Sequence, residues 1–385
     1  MSLNAPGATG ATAASTGPTT LAELTTLHLG GPAGRFVETA TEADLIGVVR
    51  TADAAGEPLL VIGGGSNLVV ADGGFPGVVV RDVRRGVEVE SADTRGGVSI
   101  RVPAGEAWDD VVARAVAAGW IGVEALSGIP GSAGAAPVQN IGAYGQELAG
   151  VVSAVRVWDR ERATVRTLSL VDLAFGYRTS LLRHSLTEPE ARWGPTPRYL
   201  VLDLSLLMHL GVLSAPIGYP ELARRLGVAV GQRARTSDVR AAVLELRRGK
   251  GMVLDAADHD TWSAGSFFTN PILAGDRADA LPAGAPRFPV PSGRLGSSGP
   301  EIGAVDPALV KTSAAWLIEH AGFGRGYGLP GTVGLSTKHS LALTNRGGGS
   351  TAELLELART VRDGVRSTFG VVLEPEPILV GCTLD

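Results

Sequence analysis

Between Gly128 and Gly145 the chain runs through eighteen residues, GIPGSAGAAPVQNIGAYG, with neither a helical nor a strand period. Unstructured loops of that length are uncommon inside a compact domain, and the exceptions are mostly functional. Its glycines allow the backbone to turn sharply or approach a ligand. Ser132, Gln139 and Asn140 are spread among them as polar groups, which argues against a core segment. A second glycine run, Gly63 to Leu68 (GGGSNL), directly follows the apolar stretch 58–62. Consecutive glycines free backbone N–H groups to form an anion-binding concavity, and a pyrophosphate is a natural guest. Neither run has the G-x-G-x-x-G or G-x-x-x-x-G-K-[ST] spacing, so a Rossmann or P-loop reading fails. Taken alone, the 63–68 run could equally be a tight turn between strands. Two separated loops point to a ligand long enough to touch both, and a dinucleotide fits better than a mononucleotide.

Around these loops the pattern mixes helix and strand. Thr41 and Asp44 open a helical stretch that stops at Gly56, resembling a capping box with a glycine stop. Val98, Ile100 and Val102 alternate as in a strand, whereas Trp108 to Ala118 has helical periodicity. Residues 151–158 and 199–209 read as strands. Residues 184–198, with three prolines, read as a surface insertion. A helix is expected from Thr236 to Arg248, stopped by Gly249, and another from Ser313 to His320. Residues 275–300, rich in Pro, Gly and Ser, read as an exposed loop. Ser350 and Glu353 form a capping box for a helix through Phe369, and 371–380 reads as a terminal strand. The class is α+β. At ~100–200 residues per domain the length suggests two or three domains.

Composition mainly excludes. The net charge of −5 comes without a long basic run, so nucleic acid is not an expected partner. The only cysteine, Cys382, cannot form an internal disulfide, and no Cys/His spacing suggests zinc. Asp255, Asp258, His259 and Asp260 read as a solvated loop rather than a metal site. No apolar stretch reaches the ~18 residues of a membrane helix. Residues 1–20 lack the basic start and apolar core of a secretory signal and read as a disordered tail. The expected location is the cytoplasm.

Four blocks occur in an order that resembles one family. They are the 128–145 run, FGYR ending at Arg178, AGSFFTNP from Ala264 to Pro271, and LEPE ending at Glu376. Together they resemble the UDP-N-acetylenolpyruvoylglucosamine reductase (MurB) family over about Thr25 to Gly381. The resemblance implies a two-part FAD-binding module of the vanillyl-alcohol-oxidase-like (PCMH) type plus a C-terminal α/β substrate-binding domain. The expected division is 21–85 and 86–250 for the two FAD-binding parts, 251–370 for the substrate domain, and 371–385 for a C-terminal strand returning to the active site. It also implies NADPH as hydride donor, a UDP-linked enolpyruvyl amino sugar as substrate, UDP-N-acetylmuramate as product, and a monomer.

By motif position, Arg178, Ser266 and Glu376 fall on the family's active-site arginine, proton donor and catalytic glutamate. Tyr219 matches the substrate-covering tyrosine of the type I branch. Tyr177, Lys250, Asn270 and His339 fall on substrate contacts. The expected FAD contacts are Gly63, Gly64, Gly65, Ser66, Asn67 and Leu68 in one loop. In the other they are Gly128, Ile129, Pro130, Gly131, Ser132, Gly134, Gln139, Asn140, Gly142, Ala143, Tyr144 and Gly145. Neither loop contains His or Cys, so the flavin is expected to be non-covalent and no metal is expected. Many family members carry a β-branched residue after the glutamate, where this chain has Pro377.

The residue types suit the implied reaction. Hydride addition to a C=C conjugated with a carboxylate builds negative charge that needs preorganised donors. An always-ionised arginine fork matches a carboxylate. A serine held within hydrogen-bond reach can protonate a carbanion. A glutamic acid kept protonated by burial can donate a hydrogen bond. Without the motifs these residues would read as a surface arginine, a turn serine and an edge acid. An oxidase of the same flavin superfamily and a non-catalytic flavin or nucleotide-sugar binder are the competing readings. The GSFF and EPE blocks, which belong to the reductase's substrate side, argue against the oxidase. Retention of all three residues argues against a binder.

Overall fold

The computed structural model describes residues 19–187, 192–291, 295–296, 299–300 and 305–385. Its first layer is a parallel three-stranded sheet in the order 33–39, 75–82, 59–62. Parallel strands need crossovers, and the helix Glu42–Ala55 supplies one. Thr41 accepts from the amide of Asp44 at its start, and Gly56, at φ 65°, ends it in the left-handed conformation that glycine adopts without a Cβ penalty. Leu45, Val49 and Ala52 from this helix pack on Leu59, Val78 and Val80.

A second sheet is antiparallel, in the order 164–169, 152–159, 199–210, 97–103, 88–93. Its inner face (Val98, Ile100, Val102, Leu204, Leu206, Met208) packs on Trp108, Val111, Val112 and Ala115 of the helix Trp108–Ala117. Trp158, Leu200 and Leu202 join it to the first layer. Asp159, with no exposed side-chain surface, is bound by Arg198 and Arg166.

The C-terminal part packs the helices Ala314–His320 and Thr351–Phe369 around Phe267, Phe268, Leu335 and Leu343. The capping box of Ser350 and Glu353 is complete, and Gly370 ends the long helix. The helix Thr236–Gly249 extends one residue beyond Arg248 and packs with Pro220–Leu226 on Ala125.

Several expectations change. The 275–300 stretch is not simply a loop: it contains the helix Gly275–Asp279 and the strand Phe288–Pro291, which pairs with Val305–Lys311. Parts of it lie outside the described residues. In 184–198, Thr196 is buried, accepting from the Val61 amide and donating to the Leu59 carbonyl. Residues 195–197 of that segment therefore line the first glycine-loop cleft, while His184, Arg192 and Gly194 are exposed and 188–191 lie outside the described residues. Asp260 is likewise buried, held by Arg346 and Thr337. The tail expected for 1–20 lies outside the described residues up to position 18. Thr19 and Thr20 are ordered against Ala33 and Pro32.

The terminal strand is shorter than expected, spanning Ile378–Val380. Residues 374–376 pair instead with 267–269: Thr269 N–H donates to the Glu374 carbonyl, and Glu376 N–H donates to the Phe267 carbonyl. After Pro377 the chain changes partner and runs parallel to Leu68–Val70. Proline has no N–H to donate, so it sits where the chain leaves one neighbour for the other.

Candidate active site

The two glycine loops meet edge to edge. A methyl group on Gly63 would lie 2.3 Å from Ser132 Oγ, and one on Gly64 would lie 2.7 Å from the Gly131 Cα. Gly65 and Gly131 take positive φ values of 63° and 118°. Ser66 Oγ donates to the Pro130 carbonyl. Among the described residues, the N–H groups of Gly63, Gly64, Gly65, Ser66 and Asn67 meet no protein acceptor. Free amides on a glycine turn fit a pyrophosphate. The loops line a cleft of about 1190 Å³, together with Leu45, Leu60, Trp108, Pro195, Thr196 and Tyr199. Its polar end and largely apolar walls fit a long dinucleotide with an aromatic ring, so the residues present fit FAD. No His or Cys lines it.

A second cleft, of about 820 Å³, shares Ser66, Asn67, Ile129, Pro130, Gln139 and Ile141 with the first. It is also lined by Arg178, Ser266, Glu376 and Arg247. Three segments far apart in sequence thus converge where the two clefts meet.

Arg178 comes from the turn after Phe175, with a bridge between Gly176 and Thr179. Its φ of 55° is uncommon for a residue with a side chain, and such strain clusters at functional sites. Its Nη2 donates to the Gly142 carbonyl, and its Nε lies 3.1 Å from Glu376 Oε1. Ser266 follows Gly265 (φ 74°) and precedes buried Phe267 and Phe268. The pairing of 267–269 with 374–376 brings it near Glu376. Burial pushes the Glu376 carboxyl up, against the opposing pull of Arg178 and Arg183. Its side chain is 14% exposed.

The remaining expected contacts fall in three groups. Tyr144, Tyr219 and Lys250 cluster with one another without lining either cleft: the tyrosine rings meet edge to face at 5.4 Å, and Lys250 Nζ lies 5.6 Å from the Tyr144 ring and 2.6 Å from Glu221. Burial pushes the Tyr144 hydroxyl up to about 12. Tyr177 has two cations over its ring, the Arg178 guanidinium carbon at 5.6 Å and Lys311 Nζ at 4.4 Å. Tyr177, Asn270, His339, Asn140 and Gly128 are likewise not among the cleft-lining residues. Asn270 Oδ1 accepts from the Ala314 amide at a helix start. His339 is pushed down to about 4 by burial, with Lys250 and Arg325 adding to the effect. Buried Asn140 ties the glycine loop to Glu147 and to the Gly176 carbonyl. Gly128 N–H donates to Asp109, which is paired with Arg240. Gly131, Ala143 and Gly145 shape the loop without lining either cleft.

Two arginines escaped the sequence reading. Arg247 lines the second cleft, its Nε is buried without a partner, and burial pushes its guanidinium down to about 10. Arg183 donates to the Glu376 carbonyl. Both sit on helices outside the recognisable blocks, where an arginine reads as ordinary surface.

Comparison with known proteins gives the same picture from outside. Residues 33–169 match the FAD binding domain family. Residues 257–380 match the UDP-N-acetylenolpyruvoylglucosamine reductase C-terminal domain. A UDP-N-acetylenolpyruvoylglucosamine reductase of Cutibacterium acnes is 50% identical over 94% of this chain and 90% of its own length. One of Thermobifida fusca is 51% identical, covering 94% and 97%. The crystal structure of the reductase (MurB) from Thermus caldophilus has the same fold, with a TM-score of 0.61 over 95% of this chain and 99% of that one, at 24% identity. Ser266 and Glu376 lie within the C-terminal family match, and the chain belongs to the UDP-N-acetylenolpyruvoylglucosamine reductase family.

Proposed function

We propose that the protein reduces UDP-N-acetyl-3-O-(1-carboxyvinyl)-glucosamine to UDP-N-acetylmuramate with NADPH, through non-covalently held FAD, as a cytoplasmic monomer in peptidoglycan precursor synthesis. The observation that carries this reading is the convergence of Arg178, Ser266 and Glu376 on a cleft contiguous with the glycine-loop cleft. In this reading, 21–85 and 86–250 hold the cofactor, 251–370 holds the sugar nucleotide, and 371–385 returns to the reacting groups.

Gly63 to Leu68 with Ser132 and Gln139 would hold FAD, which when bound would supply hydride-transfer chemistry between NADPH and the terminal carbon of the enolpyruvyl group. Arg178 faces the substrate carboxylate and stabilises the charge that develops there, which a preorganised cation does without reorganising. Ser266 Oγ gives its proton to the carbon beside the carboxylate, completing addition of H⁻ and H⁺ across the double bond. Among the described residues its hydroxyl makes no hydrogen bond to protein, which leaves it available to substrate. The Glu376 carboxyl, raised by burial, donates to the substrate carboxylate when protonated. Phe267 and Phe268, both buried, keep water from the proton donor. The cluster of Tyr144, Tyr219 and Lys250 is assigned to the nucleotide side by motif position alone.

The test is direct. The purified protein should carry a yellow chromophore released by denaturation, and should consume NADPH faster when the enolpyruvyl sugar nucleotide is present. Failure to bind flavin after FAD supplementation, or oxidation by oxygen alone, would sink the reading.

A further inference from the structure

Two side chains converge on one acceptor that is not a reacting group. Gln139 Nε2 and Arg183 Nη1 both donate to the backbone carbonyl of Glu376, at 2.9 and 3.0 Å. On the other side of the residue, Glu376 N–H donates to the Phe267 carbonyl at 2.8 Å. The peptide that follows joins Glu376 to Pro377, so it has no N–H by which a neighbour could fix its plane. Its orientation therefore depends on what grips its oxygen.

Both donors come from one anchored assembly. Ser180 Oγ donates to the Val138 carbonyl and accepts from Arg183 N–H, at 2.7 and 3.2 Å. That joint fixes the start of the helix Leu181–Thr187 to the glycine loop, one residue before Gln139. The grip on Glu376 is thus built from the cofactor cradle and from the segment five residues beyond Arg178.

Arg183 has no other evident occupation. Burial pushes its guanidinium down, with the Glu376 charge opposing. Among the described residues it forms no ion pair of its own. It is also absent from the residues lining either cleft, so it acts through Glu376 rather than on substrate. A half-buried cation hydrogen-bonded to a carbonyl is a charge-assisted contact, stronger than a neutral one.

We infer that Arg183 is a positioning residue for Glu376: with Gln139 it fixes the peptide plane from which the carboxyl reaches the cleft, and so sets its approach to Arg178 and to the substrate. The inference rests on the role given to Glu376 above.

Rapid mixing of the holoenzyme separates the two half-reactions. If the enolpyruvyl sugar nucleotide does not reoxidise the NADPH-reduced wild-type flavin, the proposed function fails, independently of Arg183. With wild-type reoxidation in hand, Arg183→Met is expected to keep its flavin and a reduction rate within about twofold of wild type. It should slow reoxidation by the sugar nucleotide on the order of tenfold or more, the size of one lost charged hydrogen bond. Arg183→Lys, which keeps cation and donor, should recover most of the loss. Equal slowing of both half-reactions, unchanged reoxidation, or a lysine variant no better than methionine each overturns the inference. Should Arg183→Met emerge without flavin, Arg183→Lys is compared with Arg183→Gln. Slower reoxidation in the glutamine variant alone supports the inference, and equal rates overturn it.

Discussion

Arg178 Nε lies 3.1 Å from Glu376 Oε1, yet its N–H makes no hydrogen bond there. The two groups are an ion pair by distance but not by alignment. An arginine paired bidentately to its neighbour would have its fork occupied. This one retains directional donors that a substrate carboxylate can take up.

In the role proposed for Arg178, planarity and reach rather than charge alone are what it would contribute. Arg178→Lys keeps the charge but loses the fork. Reoxidation by the enolpyruvyl sugar nucleotide should fall roughly a hundredfold, within the range for losing an oxyanion-stabilising donor. Flavin reduction by NADPH should change little. Stopped-flow absorbance of the flavin reads both steps.

Ser266 gives the sharpest separation of steps. Ser266→Ala should reduce its flavin with NADPH at near wild-type rate. Substrate reduction should drop by about 10²–10⁴, the usual contribution of a positioned proton donor. Equal slowing of both steps would remove the proton-donor role.

The contact between the glycine loops makes a separate prediction about the cofactor. Gly64→Ala would place a methyl group 2.7 Å from the Gly131 Cα, a backbone atom that cannot rotate away. The loops must part, moving the free amides of 63–67. FAD should bind at least roughly tenfold more weakly, or about 1.4 kcal/mol. Titration of the apoprotein with FAD, followed by flavin fluorescence, measures it.

Stability should carry an acid-side signature of His339. Its pKa falls from 6.5 to about 4 in the folded state, through burial first and then through Lys250 and Arg325. Below 6.5 the unfolded chain binds this proton and the folded chain does not, so stability is lost as pH falls from 6.5 towards about 4. His339→Gln should flatten that decline. If another group is responsible for the wild-type slope, urea midpoints of the two proteins will fall in parallel across this window, with a constant difference between them.

Local signals were legible wherever one short segment decided the outcome. Thr41 and Ser350 start helices, and Gly56 and Gly370 stop them, because a cap is satisfied within four residues. The alternation of Val98, Ile100 and Val102 is visible because one sheet face is buried. What escaped depends on distant partners. Thr196 looks like loop until its hydroxyl is seen bridging Leu59 and Val61. Asp260 looks solvated until Arg346 arrives from 86 positions away. The strand expected over 371–380 was cut to its last three residues because Pro375 and Pro377 cannot donate to a ladder. Arg178, Ser266 and Glu376 were reachable through their blocks. Arg183 and Arg247 were not, since nothing local separates a buried arginine on a helix from an exposed one.

The change of partner at Pro377 makes Glu376 conditional on the whole molecule. Residues before it are stitched to the C-terminal part, and residues after it to the strand beside the first glycine loop. The acid reaches the cleft only when both seams are closed. A chain with docked loops but an open seam would retain Arg178 and the flavin cradle while lacking its acid. If Glu376 has the proposed role, catalytic competence is in this sense a report on assembly, written by the last dozen residues of the chain.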